Sequence, residues 1–125
     1  MRRFLTLCCS ILAVSCSNPV EVRSDIARIT VDGQAIVVAN IGDAPLYYFA
    51  ADRNALALLD WIPCTDPAKC IGIASGASKR IAFSEVVAYQ PGSAEAVVYH
   101  WRLIPGNAAS GFVMDSIRAT IVPMK

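Results

Sequence analysis

Ala94-Glu95-Ala96-Val97-Val98-Tyr99-His100-Trp101-Arg102-Leu103-Ile104 is the run on which the fold turns. Side chains along a strand point alternately to its two faces. Val97, Tyr99, Trp101 and Leu103 therefore share one face, and Ala96, Val98, His100 and Arg102 share the other. β-Branched and aromatic residues at a period of two read as a strand. The bulkier face is expected in the core, with His100 on the polar-facing side. Downstream, Gly106-Asn107 mark a loop, and residues 112–122 alternate again, Ile117, Ala119 and Ile121 opposing Ser116, Arg118 and Thr120. The Val97-Tyr99-Trp101-Leu103 and Ile117-Ala119-Ile121 faces are expected to be buried on neighbouring strands. Upstream, Tyr89-Gln90-Pro91-Gly92 carries the proline and glycine of a type II turn in the right order.

Further back, Ile81 and Phe83 share a face of a strand over residues 79–83. Residues 26–31 alternate, with Ala27, Ile29 and Val31 against Arg28 and Thr30. Asp32-Gly33 is expected as a two-residue hairpin turn with positive φ at both centres. Residues 34–41 return as the second arm, and Ile36-Val37-Val38, apolar on both faces, suits an inner strand. Residues 46–50, with Tyr47, Tyr48 and Phe49, read as a third strand. Residues 55–62 fit two readings. Leu56, Leu58 and Asp60 alternate with Ala57, Leu59 and Trp61, yet Ala and Leu favour helix and Asp52 or Asn54 could cap a turn. A strand is favoured, because Pro63 stops the run after about eight residues. About seven strands separated by turn signals, with no long helix, indicate an all-β chain folded as an antiparallel β-sandwich.

Two short motifs refine this. Val38-Ala39-Asn40-Ile41-Gly42-Asp43-Ala44-Pro45-Leu46 resembles the corner between the second and third strands of many bacterial immunoglobulin-like and type III fibronectin-like domains. Ser75-Gly76-Ala77-Ser78-Lys79-Arg80-Ile81 resembles the glycine-containing lead-in to the strand opposite in the same folds. The resemblance implies an immunoglobulin-like sandwich and carries no activity with it. The inter-sheet disulfide of antibody domains has no counterpart, since Cys64 and Cys70 fall in one loop.

At the N-terminus, Arg2 and Arg3 precede an apolar run over residues 4–14, and Ala13-Val14-Ser15-Cys16 follows. This resembles a bacterial lipoprotein signal peptide, in which a peptidase cuts before the cysteine and the cysteine is lipidated. Ala13 stands where such signals most often carry Leu. The apolar run is too short to cross a bilayer as a helix, which takes about 20 residues. Ser17-Asn18-Pro19 reads as a tether. The alternative is an ordinary secretory signal with Cys16 incidental. The expected division is a signal peptide over 1–15, a lipidated Cys16 and linker over 16–24, and a β-sandwich domain over 25–125. Ser17 after the cysteine, rather than Asp, resembles lipoproteins sorted to the outer membrane of Gram-negative cells. The implied location is the bacterial cell envelope, with the chain held to the membrane by its N-terminal lipid and facing the periplasm or the surface.

Without residues 1–15 the chain keeps 110 of its 125 residues, one domain with room for a real core. Basic and acidic residues number 11 and 10, or 9 and 10 once Arg2 and Arg3 are removed. This balance gives no basic patch, and nucleic acid is not expected as a partner. Cys8 and Cys9 leave with the signal and Cys16 is assigned to lipid, so Cys64 and Cys70 remain. In an exported protein such a pair is expected to form a disulfide. The ring Cys64-Thr65-Asp66-Pro67-Ala68-Lys69-Cys70 is small, and its closure is worth about 2 kcal/mol. A redox pair usually has fewer intervening residues, and His100 is too distant in the chain to complete a metal site.

No catalytic residue, metal site or cofactor is expected. His100 would need a nucleophile and an orienting acid supplied by the fold. The carboxylates are scattered, without the pairing of a glycosidase or the spacing of a calcium loop. Binding is the better reading. Alternation turns Tyr48 away from Tyr47 and Phe49, so these aromatics cannot all be core, although most are expected to be. Pro63, Pro67 and the disulfide would stiffen a loop that displays Thr65, Asp66 and Lys69. Thr65, Asp66, Lys69 and Tyr48 are the candidate contacts. The expected function is a lipid-anchored, non-enzymatic binding or accessory module of the cell envelope, with an envelope protein or glycan as partner. The alternative is an assembly subunit of an envelope machine, or a hydrolase inhibitor, acting through loop 63–71.

Overall fold

Eight strands form in the computed structural model, which describes residues 21–107 and 111–125. The signal-like segment, Cys16 and the start of the linker lie outside the described residues. In chain order the strands are β1 Glu21–Arg23, β2 Ala27–Asp32, β3 Ala35–Asn40, β4 Leu46–Asp52, β5 Gly72–Ile73, β6 Ser78–Ala82, β7 Glu95–Pro105 and β8 Phe112–Pro123. They make two four-stranded sheets, ordered β1-β2-β3-β6 and β5-β4-β7-β8. All pairings between these strands are antiparallel, and the sheets pack face to face as a β-sandwich. Residues 21–23, expected as linker, pair instead with β2, Glu21 opposite Thr30.

The β2–β3 hairpin turns one residue later than expected. Asp32 pairs with Ala35, so Gly33-Gln34 is the two-residue loop. Gly33 has φ +60 and Gln34 has negative φ, the pattern of a type II′ turn with glycine first. The turn before β7 is as read. Ser93 N–H donates to the Gln90 carbonyl at 2.8 Å across Pro91-Gly92, and Gly92 has φ +94.

Asn40 fixes the corner between the sheets. It is fully buried, and its side-chain N–H groups donate to the Ala44 and Ile73 carbonyls, both at 2.8 Å. Its Oδ1 accepts the Gly42 N–H at 3.0 Å. One amide thus satisfies three backbone groups where the chain leaves β3, enters β4 and receives β5.

The core between the sheets reverses the expected facing of β7. Ile29, Ile36, Val38 and Ile81 of the first sheet meet Leu46, Ala50, Ala96, Val98 and Val122 of the second. His100, on the Ala96-Val98 side, is therefore buried, not polar-facing. Large side chains of the first sheet fill this space, so small ones suffice on β7. Trp101, Val97 and Tyr99 point to the outer face of the second sheet, where Val97 and Trp101 are nonetheless buried as expected, at 6% and 2% exposed, outside the inter-sheet core. On β8 the buried residues are Thr120 and Val122, while Ile117 and Ile121 are 42% and 47% exposed, again the reverse of the expected face. The two strands are neighbours as expected, Val97 pairing with Ile121 and Tyr99 with Ala119. A bulge between the His100–Arg118 and Arg102–Asp115 pairs shifts the facing of β8 beyond it.

Residues 55–62 form no sheet strand. Asp52 Oδ1 accepts the N–H groups of Asn54 and Ala55 at 2.9 and 3.0 Å, and one 3-10 turn follows over Leu56–Leu58. The chain then crosses the outer face of the second sheet and lays Trp61 upon it. The favoured strand reading fails because this segment packs on a sheet face and pairs with no strand. Its apolar residue meets a sheet face, not a ladder.

Candidate functional site

The outer face of the second sheet carries an aromatic layer. The Phe49 and Trp61 rings stack with centroids 4.4 Å apart at 14°. Tyr99 and Trp101 tilt against Trp61 at 4.8 and 6.0 Å, and Tyr47 lies over Trp101 at 6.5 Å. Alternation along β4 and β7 creates this layer, because odd-numbered residues of both strands share the outer face. The expectation that the aromatics fill the sandwich core is thus corrected. Five of them form a second apolar layer, and Tyr48 packs against the inter-sheet core.

The stapled loop is held to this layer. Cys64 and Cys70 form the expected disulfide, with Cα atoms 5.7 Å apart. Trp101 Nε1–H donates to the Cys64 carbonyl at 3.1 Å. Inside the ring, the Asp66 carbonyl accepts the N–H groups of Lys69 and Cys70, both at 2.9 Å, and Asp66 Oδ1 accepts the Ala68 N–H at 3.0 Å. The loop is a built turn, anchored at one half-cystine.

Between loop and sheets lies a groove of about 490 Å³. Tyr47, Phe49 and Trp101 line it from the outer face of the sheet and Tyr48 from the other side of the β4 edge, and Trp61, Ile62, Lys69 and Ile71 line the loop wall. Lys79 and Ile81 of β6, with Glu85 and Val87, line the opposite wall. The groove follows the free stretch of the β4 edge. On one side β5 covers Leu46 and Tyr47, and on the other Val87 bonds the Ala50 carbonyl and the Asp52 N–H. Gly72 lies close against the Tyr47 ring, where an added Cβ would stand 3.0 Å from it.

Of the four nominated contacts, Tyr48 and Lys69 come together on this groove, from different elements. Thr65 and Asp66 are exposed at the loop tip, and Asp66 is engaged in shaping the turn, with Lys69 Nζ 3.8 Å from its Oδ2. Tyr48 is half-buried, not displayed. Burial pushes its hydroxyl pKa up, and the Glu85 carboxylate adds to the shift. The four nominated contacts leave out Trp61, Ile62, Ile71 and Lys79, of which Ile71 ends the loop 63–71 expected as the alternative contact. The signal for two of them was present, since Ile62 and Ile71 are isoleucines flanking the paired cysteines and are 82% and 79% exposed.

His100 lies away from the groove, on the inter-sheet face between Tyr48 of β4 and Arg118 of β8. Neither ring nitrogen has a hydrogen-bond partner among the described residues. Arg118 Nη1 donates to Asp25 Oδ1 at 2.7 Å. Among the described residues no group of three or more His, Cys, Asp or Glu side chains could hold a metal ion. The arrangement offers an apolar, aromatic recess with cationic rims, which suits recognition. Set against known proteins, the chain matches no family model, no curated protein and no solved structure.

Proposed function

We propose that the chain is an exported, lipid-anchored protein of the bacterial cell envelope, non-enzymatic, whose sandwich offers the aromatic groove to a partner. One observation carries the binding role: an aromatic floor on a paired sheet faces a wall closed by a disulfide and hydrogen-bonded to that sheet. A surface ordered before binding loses little entropy on binding. Tryptophan and tyrosine in a recess are the residues that most often dominate interfaces. The disulfide supports export, because such bonds persist in oxidising compartments. The anchor rests on the sequence: Arg2, Arg3, the apolar run and Cys16 form the lipoprotein-like signal, and Ser17 favours the outer membrane. His100, facing the core and not the groove, supports a non-catalytic reading.

The sandwich itself reads as immunoglobulin-like, close to the type III fibronectin arrangement. The sheet orders β1-β2-β3-β6 and β5-β4-β7-β8, with the chain changing sheets after β3, β5 and β6, support this. A second functional reading, an assembly subunit or hydrolase inhibitor, draws on the exposed Thr65-Asp66 tip, which the ring holds in one shape.

Fractionation tests the anchor. Cys16→Ser should move the full chain from the membrane to the soluble or unprocessed fraction, and an unmodified Cys16 in the mature wild type would refute lipidation. Photo-crosslinking in a bacterial host tests the contact. Adducts from a photoreactive residue at position 71 that vanish with Trp61→Ala support the groove. Adducts from position 65 alone favour the loop tip, and none from either site overturns both.

A further inference from the structure

We infer that the groove takes an extended peptide segment of another protein, one that sets an acidic side chain beside a large apolar one. This deepens the reading of the groove as the contact and rests on it.

Apolar exposure argues for a peptide. Ile62 and Ile71, on the segment that forms the loop wall, are 82% and 79% exposed. Ile62 and Ile71 stand on the groove, flanking the two half-cystines. Aliphatic side chains so exposed in one place mark a surface that another apolar surface covers. A glycan would stack on aromatic faces but would leave these isoleucines against its hydroxyls. It would also need amide and carboxylate partners, and the groove lining contains no Asn, Gln or Asp and a single Glu. A small molecule would keep part of its surface in water in this partly open groove, whereas closed pockets bury most of theirs. An extended chain can lay one side chain on Tyr47 and Trp61 while its flanks cover Ile62 and Ile71.

Charge argues for acidity. Lys69 lies on the loop wall and Lys79 on the β6 wall, so cations face the groove from both sides. Lys79 has no ion-pair partner among the described residues, and Lys69 holds Asp66 only at 3.8 Å with both groups exposed. The one carboxylate on the lining, Glu85, accepts the Ala82 N–H and keeps its charge, so the lining carries two cations against one anion. A net positive lining favours acidic over basic segments and speeds encounter.

The test uses the full chain, purified in detergent and panned against a phage-displayed library of random heptapeptides. The inference expects enriched sequences that join Asp or Glu to Leu, Ile, Phe or Trp. The most enriched peptide, synthesised and labelled, should lose about tenfold in affinity with Lys69→Gln/Lys79→Gln. It should also bind more weakly when salt rises from about 0.1 M to about 1 M. Circular dichroism and intact disulfide mass establish that the variant is folded. Enrichment of basic or uncharged peptides overturns the inference, as does an acidic peptide that ignores the lysine changes. Trp61-dependent adducts from position 71 without peptide enrichment, or adducts competed by soluble glycan fragments, overturn the peptide and leave the groove as contact. Neither adducts nor enrichment overturns both.

Discussion

The Trp101 indole N–H meets the Cys64 carbonyl at 3.1 Å, joining a sheet residue to a loop residue 37 positions earlier. Through this contact a central strand of the second sheet controls the position of the stapled ring. Trp101→Phe keeps most of the ring packing and removes the donor. It should cost about 1 kcal/mol and expose the loop amides of Lys69 and Cys70 to faster hydrogen exchange. Trp101→Ala should cost about 3–5 kcal/mol, because a buried aromatic is removed whole. Urea melts give the energies, and exchange measured by mass spectrometry locates the loosening. Equal exchange at the loop in Trp101→Phe would show that packing alone holds the ring.

The disulfide should act locally. Its ring lies outside both sheets and closes seven residues, 64–70. Cys64→Ser/Cys70→Ser should lower stability by about 2 kcal/mol, while the far-ultraviolet spectrum of the sandwich is retained. Melting with and without reductant checks this. Collapse of the fold on reduction would mean that the ring supports the sheets themselves.

Asn40 should be the most demanding polar position of the fold. Asn40→Ala leaves the Ala44 and Ile73 carbonyls and the Gly42 N–H without their partner. A loss of about 2–4 kcal/mol is expected. Asn40→Asp should be worse near neutral pH, since a carboxylate would face two carbonyl oxygens in a buried site. Its deficit should shrink on acidification, as protonation restores one donor. Denaturation of both variants at two pH values tests the order.

Acid should weaken the protein before its carboxylates titrate. Burial holds the His100 imidazole below its ordinary value of 6.5, Arg118 pushes it the same way, and Asp25 opposes them. The unfolded chain, with an ordinary histidine, then takes up a proton that the folded chain does not. Stability is full above about pH 6.5 and falls as pH drops below it. Asp25, bonded to Arg118, and Asp52, bonded to Ser93 and to backbone N–H groups, are both held below 3.8. Their stabilisation is present above that value and is lost only below it. Between about pH 7.5 and about pH 5 the slope should therefore belong to His100, and His100→Leu should flatten it. A slope unchanged in that variant would assign the acid sensitivity elsewhere.

These residues also show what the sequence made legible. Alternation in β7, the Pro91-Gly92 turn and the Cys64–Cys70 spacing each depend on local geometry, and each emerges as read. Which face of β7 turns inward is not local. Both faces are apolar, so the choice depends on the volumes of Ile29, Ile36, Val38 and Ile81 on the other sheet. The same limit hid the groove. Tyr48 and Lys69 were visible as candidates, but the groove exists only because Trp61 lies down on Phe49, and nothing near Trp61 in the chain specifies that. Positive φ at one residue, not two, moved the first hairpin by a single position, a shift that Asp32-Gly33 and Gly33-Gln34 do not distinguish by composition.

The aromatic layer has an optical consequence. Trp61 and Trp101 are the two tryptophans of the chain, 6.0 Å apart and beside the Cys64–Cys70 bond. Indole emission therefore reports this face alone, without background from the rest of the sandwich. A disulfide quenches nearby indoles, so the native protein should be dim and brighten on reduction. Rings this close couple their transitions, so the near-ultraviolet dichroism should be strong and should change when anything settles over Trp61. The protein carries its own gauge of occupancy, readable without a label.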